Sequence, residues 1–203
     1  MRLIGLTGGI ACGKTSAADV LRQIGVHVID ADAVARSVLE MGSAGLHQVV
    51  ERFGPGVLQA DGSLNRDALG AIVMADPEAK SALEAITHPL IQMAIAQQLQ
   101  ARAEAGDAAA VVEAALLVET GSWRLYDQLW VVRASRPIQI ERLMARKGCD
   151  ETTAIQWIDN QLPVDAKAKH AHVVIDNDGD MAALSAQVYA AWDTLMAQGI
   201  DED

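Results

Sequence analysis

The fold is decided near the N-terminus by residues 8–15, which read Gly8-Gly9-Ile10-Ala11-Cys12-Gly13-Lys14-Thr15. Two glycines five positions apart, followed by lysine and threonine, fit the pattern of a phosphate-binding loop. Glycine lets backbone N–H groups approach a phosphate closely, and the N-terminus of the following helix adds a favourable dipole. We expect the Lys14 ammonium to contact the β- and γ-phosphates of a nucleoside triphosphate, and the Thr15 hydroxyl to ligate Mg²⁺.

The segments on either side of this loop support the interpretation. Residues 2–7 form an aliphatic run typical of a buried strand, and residues 16–22 are helix-prone with spaced apolar side chains. A phosphate-binding loop occurs in this order of strand, glycine-rich turn and helix. The predicted nucleotide-binding residues are Gly8, Gly9, Ile10, Ala11, Cys12, Gly13, Lys14, Thr15 and Ser16.

Composition narrows the class of protein. With 203 residues, of which 51% are hydrophobic, the chain can form one α/β core with an appended subdomain. The net charge of −11 excludes a broad nucleic-acid or anionic-membrane surface, because both rely on many Lys and Arg contacts. The two cysteines form no disulfide framework, and no signal peptide or membrane-span pattern is present. We predict a cytoplasmic protein without nucleic-acid or membrane partners, and its oligomeric state stays undetermined.

Two acids follow the second predicted strand, which spans residues 26–30. Asp30 ends this strand, and Asp32 comes two residues later. Ligands of open parallel α/β sheets bind beyond the carboxyl ends of the strands, so we expect this pair to face the phosphates of the loop. The alternative is that one of the two acids caps the helix that starts at Ala33.

Residues 34–106 follow a helical pattern without a convincing strand. Helices are predicted at 44–53, 66–74, 77–86 and 89–105. Turns are predicted between them, at 54–56, 61–63, 76–77 and 88–89. The segment is longer than a crossover between two strands needs, and we interpret it as the subdomain that binds the acceptor substrate.

An acid also ends the third predicted strand. Residues 108–112 are apolar and lead to Glu113, where a carboxylate is suited to support Mg²⁺ and its waters. Many buried strands end beside an acid, so a structural and a metal-supporting role both stay open for Glu113. Glu119 is a second carboxylate in the same neighbourhood.

Basic residues are scarce in this acidic chain, which makes a basic helix informative. Two further strands bring the predicted total to five, at 128–133 and 172–175. Between them a helix is predicted at 136–147, and on it Arg142 and Arg146 lie four residues apart. Both guanidinium groups therefore share one helix face and can grip phosphate. Lys167 is a further candidate for a phosphate contact.

Taken together, these residues resemble the dephospho-CoA kinase family over nearly the full length of the chain. The most diagnostic match is the signature Val28-Ile29-Asp30-Ala31-Asp32 after the second strand. Further matches are Leu6 to Ile10, Ala35-Arg36, Leu64-Asn65-Arg66 with Leu69, His88-Pro89-Leu90-Ile91, Leu116 to Glu119, Gln139 with Arg142 and Arg146, Gln161 and Pro163 before Lys167, and Val174 to Asn177 with Gly179.

The resemblance implies transfer of the ATP γ-phosphoryl group to the ribose 3′-hydroxyl of dephospho-CoA, the last step of coenzyme A synthesis. It implies an α/β fold, in which a P-loop NTPase core with a five-stranded parallel sheet carries a helical substrate-binding insertion and a small helical lid. ATP and Mg²⁺ are the expected cofactors. The predicted divisions are a nucleotide-binding core at 1–32, 107–147 and 170–203, a helical CoA-substrate domain at 33–106, and a lid at 148–169.

The resemblance also implies roles for single residues. Asp32 matches the carboxylate that takes the hydroxyl proton, and Arg142 matches a basic residue near the transferring phosphates. The predicted catalytic residues are Asp32, Lys14 and Arg142, and the ATP contacts beyond the loop are Arg146 and Asn177. The predicted substrate-binding residues are Asp32, Arg36, Arg66 and His88, with capping or packing as the alternative for His88. The predicted metal-supporting residues are Thr15 and Glu113.

Two positions depart from the family pattern, and other functions share part of it. Ala115 stands where proline is usual, and His172 stands where an acid is common. A nucleoside monophosphate or shikimate-type kinase would share the loop, the acid pair and the lid. A nucleotide-sensing module would need no acceptor, although the Asn-Lys-x-Asp signature of guanine recognition is absent from the sequence.

Overall fold

The structure is a computed structural model that describes residues 1–197. The strands are β1 (Arg2–Gly8), β2 (His27–Asp30), β3 (Ala109–Glu113), β4 (Gln128–Arg133) and β5 (Val173–Asp176). The helices are α1 (Lys14–Gln23), α2 (Ala31–Ser37), α3 (Ala44–Phe53), α4 (Arg66–Ala75), α5 (Pro77–Glu104), α6 (Arg136–Lys147), α7 (Glu151–Asp159), α8 (Val164–Ala168) and α9 (Met181–Ala197). Short 3₁₀ turns occur at Pro55–Val57 and Ser122–Leu125.

The strands form one five-stranded parallel sheet in the order β2-β3-β1-β4-β5, which confirms the predicted fold class. The central strand β1 pairs with β3 and β4, and its Leu6 lies in register with Glu113 on one side and Trp130 on the other. Parallel strands end at the same edge of a sheet. The phosphate-binding loop after β1 and the acid that ends β3 therefore lie at the same edge, where α/β proteins bind their ligands.

Aliphatic side chains fill the core around this sheet, with one aromatic exception. Ile4 and Leu6 of β1 are fully buried, together with Ala17 of α1 and Val188 of α9. Trp130 of β4 is also fully buried in this cluster. Full burial of an Ile, Leu or Val side chain contributes about 1.5–3 kcal/mol of transfer free energy. This layer therefore holds β1, the strand that leads into the loop, in place.

The chain divides into two compact units, residues 1–28 with 106 onward, and residues 29–105. The second unit is helical and has its own core, in which Leu46, Val49 and Val57 are buried. The assignment of 33–106 to substrate binding and of 148–169 to a lid remains a prediction. The last six residues of the predicted core, 198–203, lie outside the described residues.

One prediction for the helical unit was wrong. His88 and Pro89 were expected to form a turn between two helices, but α5 runs through both as one continuous helix. A proline inside a helix loses one backbone hydrogen bond and costs about 3 kcal/mol. The packing of α5 against α2, α3 and α4 accounts for a helix that continues across Pro89.

None of the helices in the described part of the chain combines the length and the apolar character needed to cross a membrane.

Candidate nucleotide-binding site

The phosphate-binding loop connects β1 to α1 in a backbone conformation that its glycines make possible. Gly13 has a φ of +89°, and a Cβ atom there would lie 2.1 Å from the Asn177 amide nitrogen. A Cβ atom on Gly8 would lie 2.2 Å from the Val132 carbonyl oxygen. No other residue type fits at these two positions without moving its neighbours. The spacing of glycines in the sequence thus reflects close backbone packing.

The Asn177 side chain supports the backbone of the loop. This side chain is buried, and its Nδ2 donates a hydrogen bond to the Cys12 carbonyl oxygen at 2.8 Å. The carbonyl is thereby tied to the end of β5. Its oxygen would repel a phosphate if it pointed toward one. Asn177 was predicted to bind ATP, and in the structure its amide nitrogen is instead engaged by the loop itself.

A pocket of about 210 Å³ opens on the loop. It brings together loop and helix residues that the sequence predicted to bind ATP, namely Gly9, Ala11, Gly13, Lys14, Thr15, Ser16, Arg142 and Arg146. Helix α6 supplies the two arginines, as their four-residue spacing predicted. Three positively charged side chains and the N-terminus of α1 therefore surround one concave site, which is the chemistry that a polyphosphate requires.

Arg142 gives the clearest sign that this pocket binds an anion. Its Nη1 atom is buried and has no hydrogen-bond partner within residues 1–197. A buried donor on a charged group is costly to leave unpaired, so such atoms nearly always have an acceptor. Because Arg142 lines the loop pocket with Lys14, a phosphate oxygen is the acceptor that fits.

Thr15 and Glu113, the two predicted metal-supporting residues, contact each other. The Thr15 hydroxyl donates to Glu113 Oε1 at 3.1 Å, and Glu113 is buried at the end of β3. Arg22 Nη2 lies 3.8 Å from the other carboxylate oxygen. Since the hydroxyl proton is directed at Glu113, the lone pairs of the Thr15 oxygen are available to a cation. The pair therefore fits a magnesium ion that arrives with the nucleotide.

Cys12 is fully buried inside the loop. Hydrogen bonds from backbone groups and the nearby charge of Lys14 favour the thiolate, but burial opposes them more strongly and raises the pKa of the thiol. Less thiolate is therefore present near neutral pH than in an ordinary cysteine. Cys12 instead packs into the hydrophobic core cluster as a small apolar side chain.

We expect Cys12 to resist alkylation. At near-neutral pH, iodoacetamide should modify the partly exposed Cys149 well before Cys12, and the Cys12 rate should climb as the pH approaches its raised pKa. Peptide mass spectrometry over a pH series measures both rates. Equal rates for the two cysteines near neutral pH would contradict the burial argument.

The predicted acceptor-binding residues lie in the helical unit, where several of them meet around α2. Asp30 caps this helix, because its Oδ1 accepts the Ala33 N–H at 2.9 Å. Arg36 Nη2 lies 3.8 Å from Asp30 Oδ2, and Arg66 donates to the Arg36 carbonyl oxygen at 3.4 Å. Asp32 is exposed in the first turn of α2 and makes no hydrogen bond or ion pair within the described residues.

These contacts resolve the alternative for the acid pair, since the cap is Asp30 and Asp32 is left available to a ligand.

His88 is exposed in the middle of α5. A mid-helix position does not cap a helix, so capping is excluded for His88, and its role in substrate binding stays a prediction.

Lys167 is not a phosphate contact. It is fully buried, and its Nζ donates to the Ala115 carbonyl oxygen and to Glu119 Oε1, each at 2.7 Å. The Thr7 hydroxyl donates to the same carbonyl oxygen at 3.1 Å. Lys167 therefore anchors α8 to the segment after β3, beside the strand that carries the loop. The ion pair with Lys167 balances the charge of Glu119, the second carboxylate near the end of β3.

The two departures from the family pattern have structural accounts. Ala115 takes part in the Lys167 anchor through its carbonyl oxygen, which a proline would also supply. The Nδ1 atom of His172 accepts a hydrogen bond from the Leu129 N–H at 3.0 Å. The backbone N–H of His172 donates to the Leu129 carbonyl oxygen. Neither residue lines the loop pocket.

We expect Lys167→Met to lower the free energy of unfolding by about 3 kcal/mol, because it leaves Glu119 without its cation and removes a hydrogen bond. Urea denaturation measures the change. Lys169→Met is the matched control, since Lys169 is exposed two residues away and should shift stability by less than about 0.5 kcal/mol. Equal stability of the two variants would mean that the buried lysine contributes no net anchor.

Two glutamines that matched the family pattern received no individual role from the sequence. Gln139 is buried and donates to the Ala134 carbonyl oxygen at 2.8 Å, which fixes the start of α6. Gln161 accepts the Ile10 N–H of the loop through its side-chain oxygen at 3.0 Å. The Gln139 contact is local, whereas the Gln161 contact joins residues 151 positions apart, and periodicity carries no signal of such a distant pair.

Comparison with known proteins gives a consistent result. Residues 2–183 match the model of the CoaE family, described as dephospho-CoA kinase. The chain is 41% identical to a dephospho-CoA kinase of Geobacter sulfurreducens, over 95% of this chain and 98% of the relative. It is 46% identical to one of Anaeromyxobacter dehalogenans, over 92% and 89% of the two chains.

Solved structures resemble the chain over nearly all of its length. A dephospho-CoA kinase from Campylobacter jejuni superposes with a TM-score of 0.73 at 26% identity, covering 97% of this chain and 98% of that one. The protein TT1252 from Thermus thermophilus gives 0.82 at 30% identity, covering 96% and 97%. A shikimate kinase from Acinetobacter baumannii gives 0.53 at 12% identity, covering 98% and 94%, which is a likeness of fold alone.

Proposed function

The chain belongs to the dephospho-CoA kinase family, and from this premise we propose that it transfers the γ-phosphoryl group of ATP to the ribose 3′-hydroxyl of dephospho-CoA. The products are coenzyme A and ADP, and the reaction is the last step of coenzyme A biosynthesis. The observation that carries the proposal is the family match over nearly the whole chain, which includes both the loop and the helical unit. The chemistry of the loop pocket supports it.

The donor half of the reaction follows from the loop pocket. Loop N–H groups, Lys14 and Arg146 hold the phosphates, and Arg142 supplies the donor that has no partner among residues 1–197. Thr15 and Glu113 are the residues that would hold Mg²⁺. When bound, the ion neutralises charge on the β- and γ-phosphates. The protein's own task is to keep these positive groups fixed before the reaction begins.

The acceptor half of the reaction is assigned to the residues around α2. We assign Arg36 and Arg66 to the acidic groups of dephospho-CoA, and Asp32 to the ribose hydroxyl. As the 3′-oxygen forms its bond to the γ-phosphorus, the bond from that phosphorus to the β–γ bridging oxygen breaks, and its electron pair leaves with ADP. Asp32 accepts the hydroxyl proton, so charge and atoms balance. Asp30 keeps Asp32 in the first turn of α2 by capping that helix.

The predicted lid, residues 148–169, is assigned to excluding water. A phosphoryl group held beside bulk water would be lost to hydrolysis, so closure over the donor before transfer would prevent waste. This segment carries Gln161, whose side chain contacts the loop. The contact supports a role for the lid near the transferring group.

A substrate panel tests the proposal. ATP consumption and product mass are measured with dephospho-CoA, nucleoside monophosphates and shikimate as acceptors, and with GTP as an alternative donor. We expect phosphorylation of dephospho-CoA alone. Coenzyme A is the matched non-acceptor, because its 3′-position already carries the phosphate. Activity confined to nucleoside monophosphates or shikimate, or tight GTP binding without transfer, would overturn the proposal.

A further inference from the structure

Gln161 contacts the phosphate-binding loop from the segment between α7 and α8. Its Oε1 accepts the backbone N–H of Ile10, the third residue of the loop, at 3.0 Å. An N–H group can only donate, so the atom it meets must be the carboxamide oxygen, and the orientation of the amide follows. Backbone N–H groups of such loops are the groups that receive phosphate oxygens. Gln161 therefore lies at the rim of the phosphate site.

The segment that carries Gln161 is held on both sides. Before it, Asp159 at the end of α7 forms an ion pair with Arg136 at 2.8 Å. After it, the Pro163 carbonyl oxygen accepts the backbone N–H of Lys167, whose side chain is the buried anchor described above. A side chain on a segment fixed at both ends keeps its place at low entropic cost. This is what positioning in catalysis requires.

The other polar atom of the carboxamide, Nε2, is left unused by the described part of the chain. Gln161 Nε2 makes no hydrogen bond within residues 1–197. It is bonded to the same carbon as Oε1, the atom that accepts the Ile10 N–H. Gln161, Ile10 and Gly9 line a cavity of about 340 Å³, and Gly9 also lines the pocket of Lys14 and Arg142. The NH₂ group is thus a free donor next to the loop residue that the two cavities share.

We propose that Gln161 is a catalytic residue that donates a hydrogen bond from Nε2 to an oxygen of the transferring γ-phosphoryl group, while Oε1 stays on the Ile10 N–H. This proposal rests on the proposed function. Gln161 exchanges no proton or electron pair: the proton goes to Asp32 and the electron pair to ADP, as described above. A fixed neutral donor stabilises the charge that spreads over the equatorial oxygens of the phosphoryl group.

Gln161→Glu separates this role from that of a simple latch. Glutamate has the same shape and keeps an oxygen for the Ile10 N–H, but it replaces the NH₂ donor with a negatively charged oxygen. We expect kcat/KM for ATP to fall about 100-fold, because a donor is lost and a repulsion is gained. The affinity for ADP, which has no γ-phosphoryl group, should change less than about twofold. Steady-state kinetics and calorimetric titration with ADP measure the two effects.

Two further variants complete the design. Gln161→Met loses both polar atoms and should lower kcat/KM for ATP about tenfold, which is less than the loss in Gln161→Glu. Gln156→Glu is the matched control, because it adds the same charge at an exposed position of α7 and should behave as wild type. Thermal unfolding confirms that each variant is folded.

The outcomes distinguish three cases. If Gln161→Glu is as active as wild type, or more active than Gln161→Met, the side chain is only a latch and the proposal is overturned. If either variant binds ATP more tightly at unchanged kcat, the glutamine competes with phosphate, which also overturns it. If wild-type protein does not phosphorylate dephospho-CoA at all, the proposed function itself has failed, and the ATP hydrolysis rates of the same variants decide whether Gln161 acts on the γ-phosphoryl group.

Discussion

Asp32→Asn is expected to lower kcat with dephospho-CoA by about two to four orders of magnitude, while the affinity for ATP stays within about twofold. An asparagine oxygen can still accept a hydrogen bond from the 3′-hydroxyl, but the amide cannot take up its proton. The nucleotide pocket lies on the loop and α6, so the donor side is unchanged by the substitution. Steady-state kinetics and calorimetric titration with a non-hydrolysable ATP analogue measure the two quantities.

Asp67→Asn is the matched control for this experiment. Asp67 occupies the first turn of α4 in the same helical unit, as Asp32 does in α2, and both are exposed. The control therefore removes the same charge from an equivalent helical position and should leave kcat within about twofold. Turnover of Asp32→Asn within tenfold of wild type would exclude Asp32 as the proton acceptor. A loss of ATP affinity in the same variant would instead place Asp32 on the donor side.

The contacts around α2 sharpen this assignment beyond what the sequence allowed. The sequence placed Asp30 and Asp32 together after β2 and left open which of them caps the next helix. In the structure the Asp30 carboxylate is occupied by the Ala33 N–H and lies near Arg36. Asp32 has neither kind of contact within the described residues. Of the two acids, Asp32 is therefore the one whose carboxylate keeps its full acceptor capacity for a substrate hydroxyl.

Local signals carried the prediction of the fold. The loop of residues 8–15 follows from glycine spacing, and the helices α3 and α4 follow from the helical pattern of the sequence. In the structure Ser43 and Asn65 cap these two helices. The pairing of Arg142 and Arg146 in one pocket follows from their helical spacing. Each of these features depends on residues within a few positions of one another.

The features that the sequence could not supply depend on distant contacts. A lysine in a basic run is normally solvated, and only the fold brings Glu119 and the Ala115 carbonyl to Lys167 and buries it. Pro89 ends a helix by its local preference, and only the packing of α5 on its neighbours overrides that preference. Gln161 reaches Ile10 across 151 positions. These residues act in pairs, and a single sequence does not reveal which positions are paired.

Arg142→Met is expected to change activity and stability in opposite directions. The kcat/KM for ATP should fall by about 10² to 10³, because a charged donor aimed at the phosphates is lost. Without nucleotide, the free energy of unfolding should rise by roughly 1 kcal/mol, because the buried Nη1 atom that lacks an acceptor is removed. Methionine fills the space of the aliphatic stem and needs no partner. Kinetics and urea denaturation of the nucleotide-free protein measure the two effects.

A purely structural arginine would give the reverse result, since its loss would destabilise the protein and affect activity only through folding. Lys147→Met is the control, because it removes one positive charge from an exposed position of the same helix and should leave both quantities near their wild-type values. A non-hydrolysable ATP analogue should stabilise wild-type protein more than Arg142→Met at the same concentration, because the gain in free energy of unfolding grows with the logarithm of the ligand concentration divided by Kd. If Arg142→Met is less stable than wild type in the absence of nucleotide and retains full activity, the guanidinium is part of the core. In that case its unpaired atom would not mark the place of the phosphate, and Lys14 and Arg146 alone would have to supply the positive charge of the site.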